Sequence, residues 1–452
     1  MISEEGHPRS LFTRMAGDIG TQLRARVDCA DSEKLWLVAV ASPVHFAAAV
    51  VGCWMAGVTP VLSADLQMDT LRDLSMRLDG ILCDDALGDS GVPTINVVQM
   101  AFAANASDDA IQQIANPEFS AEQTALVLFT SGSTGKKKRI TKPFLSIFEE
   151  IKNLENVFGR EVNGLPRRST VSHFHIYGFL FNIMWPLHCG HTLSTPWTFY
   201  WEQILSDLVG KACIVSSPAH LRVLSNLACQ YPFHWRDSVI FSSGGPLDRS
   251  VALEIFATTG IVPAEIFGST ETGGVAVRRQ SPDAPTPFTP FCGVQVRRND
   301  MEGLEVRSPW IDTGEGWVET GDRIEMDEFG AFYLRGRYDM MVKIAGKRVS
   351  LTEMENALRE MPEILDVRVF QYCNRATESR EVLAAVIVPR QTPVPTAGAA
   401  KRQTVQLLKD KLKRRFDLVA MPRYWRFVKT LPVDAQGKVT IGLLEEVVQN
   451  GG

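Results

Sequence analysis

Leu126-Val127-Leu128-Phe129-Thr130-Ser131-Gly132-Ser133-Thr134-Gly135-Lys136-Lys137-Lys138 is an apolar run of strand character that empties into small or hydroxylated residues and then into lysines. Glycines let a main chain approach a ligand closely, hydroxyls and amides donate hydrogen bonds, and lysines supply charge. Together they suit polyphosphate oxygens. Serine, threonine and glycine also build ordinary turns, and lysine runs commonly coat a solvated face, so the stretch alone leaves both readings open. A Walker A loop needs Gly, four residues, then Gly-Lys-Ser/Thr, which Gly132 to Lys137 does not provide. An ordinary P-loop NTPase is not expected.

The 452 residues, 45% of them hydrophobic and 22% charged, predict two or three domains with a large buried core. A formal charge of −5 argues against nucleic acid as the main partner, because a polyanion needs a positive field. The cysteines, at 29, 53, 83, 189, 213, 229, 292 and 373, include no Cys-x-x-Cys pair and mostly lie in apolar surroundings. Buried thiols in a reducing compartment are expected, with no zinc site or disulfide framework. The N-terminus carries Glu4, Glu5 and His7 in place of a basic and then apolar leader, so no signal peptide and a cytoplasmic location are expected. Pro43, His45, Gly52, Gly57 and Pro60 interrupt the apolar stretch from Trp36 to Leu62, which reads as strand, helix and strand and not as a membrane span.

Leu35 to Ala41, Gly57 to Leu62, Gly80 to Asp84 and Thr94 to Val98 read as strands, and Phe46 to Met55 as a helix. Short turns between them imply a parallel α/β layer. Further along, Ser172-His173-Phe174-His175-Ile176-Tyr177-Gly178-Phe179 places histidines among aromatics, which suits either a core edge or a pocket wall. Val239 to Leu247 is a strand running into Ser242-Ser243-Gly244-Gly245-Pro246, where small residues leave room for a flat ring or simply form a turn. Ala264 to Gly274 combines the Phe267 ring, hydroxyls and the Glu271 carboxylate. A ring stacks on a base and a carboxylate holds Mg²⁺, although a helix cap has similar residues. Prolines 282, 285, 287 and 290 mark a connection, followed by alternating strands at Gly293 to Arg297 and Gly303 to Arg307.

These segments, in this order, resemble the adenylate-forming superfamily of acyl- and aryl-CoA synthetases, peptide-synthetase adenylation domains and luciferases. Thr130 to Gly135 matches its phosphate loop throughout, while Lys137-Lys138-Arg139 stands where Pro-Lys-Gly is usual, with Lys138 keeping the lysine place. Phe174 to Gly178 is similar to the aromatic-His-x-x-Gly motif, and Ser242 to Leu247 to Ser-Gly-Gly-Ala-Pro-Leu with Gly245 in the alanine place. Phe267-Gly268-Ser269-Thr270-Glu271 is similar to aromatic-Gly-x-Thr-Glu, and Thr320-Gly321-Asp322 to Thr-Gly-Asp. Gly336-Arg337-Tyr338-Asp339 through Lys343 to Gly346 is similar to the family's hinge signature, and Gly437-Lys438 to its C-terminal Gly-Lys.

The resemblance implies an α/β fold: a large N-terminal domain of α/β layers with a β-barrel-like subdomain, residues 1–338, and a small mobile α+β C-terminal domain, residues 339–452. It implies that Ser131, Gly132, Ser133, Thr134, Gly135 and Lys138 hold the triphosphate, and that Gly244, Gly245, Pro246, Glu265, Phe267, Gly268, Ser269 and Thr270 line the nucleotide. Asp322 and Arg337 would take the ribose, Glu271 the Mg²⁺, and His175 would border the acid pocket. Lys438, Glu271, His175 and Thr130 form the expected catalytic set, Asp339 the hinge, and Gly346 the passage for the thiol. The expected activity is ATP-dependent conversion of an aryl or fatty acid to an acyl-adenylate, then transfer to CoA or to the phosphopantetheine of an acyl carrier protein. A carrier-protein ligase, or a nucleotide-binding regulatory protein without chemistry, stands as the alternative.

Beyond the hinge, Ser350-Leu351-Thr352-Glu353 is a capping box opening a helix, and Val367 to Gln371 and Val382 to Val388 read as strands. A later helix carries Lys409, Lys411, Lys413, Arg414 and Arg415 opposite Leu408, Leu412 and Phe416. Its basic face is either a solvated surface or a dock for CoA phosphates or an acidic carrier.

Overall fold

The computed structural model describes residues 9–27, 33–63, 77–85, 91–101, 119–131, 137–208, 210–228, 230, 235, 237–311, 316–337, 340–344, 347–373, 382–390, 398–413, 415–434 and 439–450. The chain divides into two compact units, Met1–Val296 with Val306–Val318, and Arg297–Glu305 with Glu319–Gly452.

The first unit opens with helix α1 (Arg9–Arg24), then strand β1 (Leu35–Ala39), helix α2 (Pro43–Met55) and strand β2 (Thr59–Ser63). Every residue of β1 and β2 is buried, the terminal Thr59 and Ser63 of β2 included, as in a parallel sheet covered on both faces. Pro43 opens α2 because its missing N–H would have no helical partner there. Strands β3 (Gly80–Cys83), β4 (Thr94–Asn96), β5 (Thr124–Ser131) and β6 (Lys137–Pro143) complete a sheet of order β4-β3-β1-β2-β5-β6. Its neighbours are parallel except for β5 and β6, which are antiparallel. The strand expected over Thr94 to Val98 stops at Asn96, whose Oδ1 accepts the N–H groups of Val98 and Gln99, both at 3.0 Å, and starts helix α3 (Val97–Ala101).

Helix α4 (Phe144–Val162) leads to a second sheet of β7 (Arg167–Ser169), β8 (Cys213–Ser216), β9 (Val239–Ser242), β10 (Ala264–Ser269), β11 (Gly273–Arg278) and β12 (Thr289–Pro290), in the order β12-β11-β10-β9-β8-β7. The strands from β7 to β10 run parallel, with helices α5 (Pro218–Ala228) and α6 (Arg249–Thr259) as crossovers, and β11 and β12 turn antiparallel. Part of the proline-rich connection thus pairs as an edge strand, Pro290 opposite Ala276. An edge is where a residue without an N–H fits.

His173 ties the two sheets together. Its Nε2 lies 2.8 Å from the Val40 carbonyl, to which it donates, and its ring centroid is 4.4 Å from that of Phe46. Burial pushes this imidazole down to about 4, against the Val40 hydrogen bond and the Asp84 charge that raise it. The unfolded chain binds this proton more readily, so stability is complete above the ordinary value of 6.5 and is lost as pH falls towards 4. Between pH 7 and pH 5 the loss is about 2 kcal/mol. Urea unfolding at the two pH values should show His173→Gln losing correspondingly less than the parent; identical losses would remove His173 as the cause.

Strands β13 (Gln295–Arg298), β14 (Gly303–Arg307), β15 (Val318–Met326) and β16 (Phe332–Arg337) form a sheet in chain order, β15 and β16 antiparallel, where the barrel-like subdomain was expected. The second unit continues with the antiparallel hairpin of β17 (Met341–Ile344) and β18 (Lys347–Ser350). Helix α7 (Leu351–Arg359) follows, and the Ser350 hydroxyl accepts the Glu353 N–H at 3.1 Å, as the capping box predicts. Strands β19 (Ile364–Tyr372), β20 (Val382–Pro389) and β21 (Tyr424–Phe427) form a sheet, with helices α8 (Gly398–Leu412) and α9 (Ile441–Asn450). Met354, Leu358, Val367, Leu383, Leu408 and Trp425 belong to one core. The basic residues on and after α8 are largely paired: Lys411 with Glu363 at 2.8 Å, Lys413 with Asp410 at 2.6 Å, and Arg415 with Glu360 at 2.9 Å. That favours the solvated-surface reading.

Candidate active site

Both sheets of the first unit change from parallel to antiparallel at one side, and there the predicted motifs lie. The β5–β6 hairpin pairs Thr130 with Lys138 and Ser131 with Lys137, so the phosphate-loop motif spans its tip. The β10–β11 hairpin pairs Ser269 with Gly273 and carries Glu271 at its tip. The strand β9, parallel to β10, ends beside it and runs into Gly244, Gly245 and Pro246, all exposed. Carboxyl ends of parallel strands are where open α/β sheets hold ligands.

The two hairpins meet. Lys138 Nζ lies 3.1 Å from Glu271 Oε1, joining residues 133 positions apart. Burial would raise the Glu271 carboxyl, but hydrogen bonds to Lys138 and Ser269 and the lysine charge outweigh it and hold it below the usual carboxylate range. It is therefore anionic at neutral pH. A carboxylate is the hard oxygen donor that Mg²⁺ takes, and Glu271 offers it singly: among the described residues no group of three or more His, Cys, Asp or Glu could hold a metal ion.

The Glu271 turn is gripped from its own hydroxyls and from below. The Thr272 N–H donates to Ser269 Oγ and the Ser269 N–H to Thr272 Oγ1, both at 3.1 Å. Lys142, on the same face of β6 as Lys138, donates from Nζ to the Glu271 carbonyl at 2.8 Å. Glu150 of α4 accepts the Gly274 N–H at 2.7 Å, and Trp310 Nε1 donates to the Gly274 carbonyl at 3.0 Å. Gly273 has φ +66°, and a Cβ there would lie 2.5 Å from Glu150 Oε2. At Gly268 a Cβ would lie 2.2 Å from the Gly273 carbonyl, so the hairpin closes only on glycine at both places.

Phe267 is half-buried, its ring centroid 5.7 Å from that of Phe288. Glu265 is buried and its carboxylate is occupied, by Arg278 at 2.7 Å and Gln280 at 3.1 Å. Both of its carboxylate oxygens are thus engaged within the sheet. His175, half-buried, precedes the short helix Ile176–Gly178 and accepts the Phe179 N–H through its carbonyl at 2.7 Å. A buried π-helix, Phe179–Met184, follows, a local widening frequent at functional sites. Asn182 within it donates to Ser169 Oγ and to the Val171 carbonyl, both at 3.0 Å.

In the second unit, Asp322 is opposite Arg337 in the β15–β16 register, and Arg337 Nη1 lies 3.4 Å from Asp322 Oδ1. The pair expected to take a ribose thus shares one edge of chain. Gly132, Ser133, Thr134, Gly135, Asp339, Gly346 and Lys438 lie outside the described residues, and Thr130 and Ser131 are described for backbone only.

The AMP-binding enzyme family matches residues 23–320. The chain belongs to that family. Among curated AMP-binding relatives, a probable CoA ligase from Humulus lupulus is 25% identical over 69% of this chain, and the match takes in 63% of that relative. The chain therefore aligns with less than two thirds of its length. The solved structure of ATP-bound MatB from Rhodopseudomonas palustris matches with a TM-score of 0.76 at 19% identity, covering 96% of this chain and 92% of that one. The o-succinylbenzoate coenzyme A synthetase of Bacillus subtilis, in complex with ATP and magnesium ion, matches with a TM-score of 0.73 at 19% identity, over 97% and 93%. The adenylate-forming fold accordingly extends through both units.

Lys142 and Glu150 of this AMP-binding chain were missed by sequence reading. A signal was present: Phe144, Ile147, Ile151, Leu154 and Phe158 mark the buried stripe of α4, and Glu150 and Asn153 are polar residues beside it and buried with it.

Proposed function

We propose that the chain joins a carboxylic acid to a thiol through an acyl-adenylate. The observation that carries this reading is the Lys138–Glu271 contact, which brings the phosphate-loop hairpin and the expected metal-binding turn together at the carboxyl ends of parallel strands. Family membership supports it, as do the names of the relatives.

In the first half-reaction a carboxylate oxygen attacks the α-phosphorus of ATP in line. The bond from that phosphorus to the bridging oxygen breaks and pyrophosphate leaves. The loop from Thr130 to Lys138 cradles the leaving phosphates, Phe267 and the Gly244 to Pro246 turn flank the adenine, and Asp322 and Arg337 take the ribose. Glu271 would hold Mg²⁺, which neutralises charge on the phosphates when bound. Lys438 offsets charge on the carboxylate and α-phosphate. Catalysis is positioning and electrostatics. In the second half-reaction the smaller domain turns about Asp339, Lys438 withdraws, and a thiol enters beside Gly346. The thiol loses its proton, its sulfur bonds to the acyl carbon, and AMP leaves with the former carboxylate oxygen.

The acid is taken to be aryl or fatty, bounded by His173 to Phe179 and Phe241 to Gly245, and the thiol to be CoA or a carrier phosphopantetheine. Exchange of labelled pyrophosphate into ATP, screened over aryl and fatty acids, is expected to start only when a matching acid is present. Nucleotide binding without exchange for any acid would leave the regulatory alternative. Rates with free CoA and with a phosphopantetheinylated carrier then identify the acceptor.

A further inference from the structure

A lysine and a glutamate lie beneath the Glu271 turn, Lys142 4% exposed and Glu150 7% exposed. Each grips the turn's backbone at a different point. The ammonium binds the carbonyl of Glu271 itself, and the carboxylate takes the N–H of Gly274 while its other oxygen faces Gly273. Burying two charges is costly, and packing alone is often served as well by an apolar pair. What an apolar pair cannot do is fix, by hydrogen bonds on both sides, the main chain that aims the Glu271 carboxylate.

We propose that Lys142 and Glu150 are positioning residues that set the metal-dependent part of nucleotide affinity by holding the Glu271 turn. This rests on the functional reading above for the role of Glu271. The exposed Lys138 reaches the carboxylate, whereas the buried Lys142, on the same face of β6, reaches the carbonyl of the same residue. One strand thus supplies a cation to the site and a brace for its metal ligand.

The test is ATP binding to the full-length protein by calorimetry, with MgCl₂ and with EDTA, alongside pyrophosphate exchange as MgCl₂ is varied. In Lys142→Met the Mg²⁺ concentration for half-maximal exchange should rise about 10-fold. The rate at saturating Mg²⁺ and the affinity for ATP in EDTA should stay within about 3-fold of the parent. Glu150→Ala should behave like Lys142→Met, and Glu150→Gln, whose carbonyl still accepts from Gly274, should recover most of the Mg²⁺ affinity. Thermal melts of each variant check folding, and if Lys142→Met does not fold, the two Glu150 variants decide. Unchanged Mg²⁺ dependence in folded variants would overturn the proposal, as would equal weakening of ATP with and without Mg²⁺. The calorimetry needs no acid: Mg²⁺-enhanced ATP binding without acid-driven exchange defeats the ligase reading and leaves the brace to be judged by its own variants.

Discussion

Lys438→Ala is expected to slow acyl-adenylate formation by roughly 100-fold or more, while thioester formation from supplied acyl-adenylate and thiol continues near the parent rate. Negative charge accumulates where the carboxylate oxygen meets the α-phosphate, and a cation held there acts most on the transition state. No such charge is shared between those groups when a thiol displaces AMP. The chain on either side of this lysine is anchored: Leu431 and Val439 pack against the cluster of Phe370, Tyr372, Leu444 and Val448. A side chain tethered to a small lobe can be delivered and withdrawn with it. Single-turnover measurement of each half-reaction separates the effects, and equal loss in both would remove Lys438 from its assigned step.

Glu271→Ala should be comparably severe, lowering pyrophosphate exchange by about 100-fold even at saturating Mg²⁺. The substitution removes the oxygen donor and also the partner of Lys138, which lies 3.1 Å away. This differs from loss of Lys142, which should shift the Mg²⁺ requirement and spare the saturated rate. Glu271→Gln keeps a neutral oxygen and should fall between the alanine variant and the parent. Exchange by Glu271→Ala within about 3-fold of the parent would mean that this carboxylate has no part in the chemistry.

Local chemistry made much of the fold legible. An unbroken apolar run announced β1, and Ser350 with Glu353 announced the start of α7. The hydroxyl and glycine segments announced turns at strand ends, because their chemistry is contained in consecutive residues. Asn96 shows a nearer limit: its side chain converts what alternation suggests is strand into the first turn of α3. Lys142 shows a farther one, since its partner is a carbonyl 129 residues away that no local pattern signals. The basic run near α8 had two readings for the same reason: Glu360 and Glu363 answer Arg415 and Lys411 from another part of the chain.

The two turns assigned above to the nucleotide join antiparallel ribbons, β5–β6 at the edge of its sheet and β10–β11 beside the short edge strand β12, next to the parallel strands. Lengthening or shortening a tip need not disturb a strand crossing or an apolar layer. A change of length between β5 and β6 is therefore expected to spare the folded sheet while altering the proposed phosphate loop, so that folding and activity separate there. The opposite ribbon has far less latitude, because its crossing at Gly268 and Gly273 admits no bulk. The same change at the second tip is expected to cost folding as well as activity.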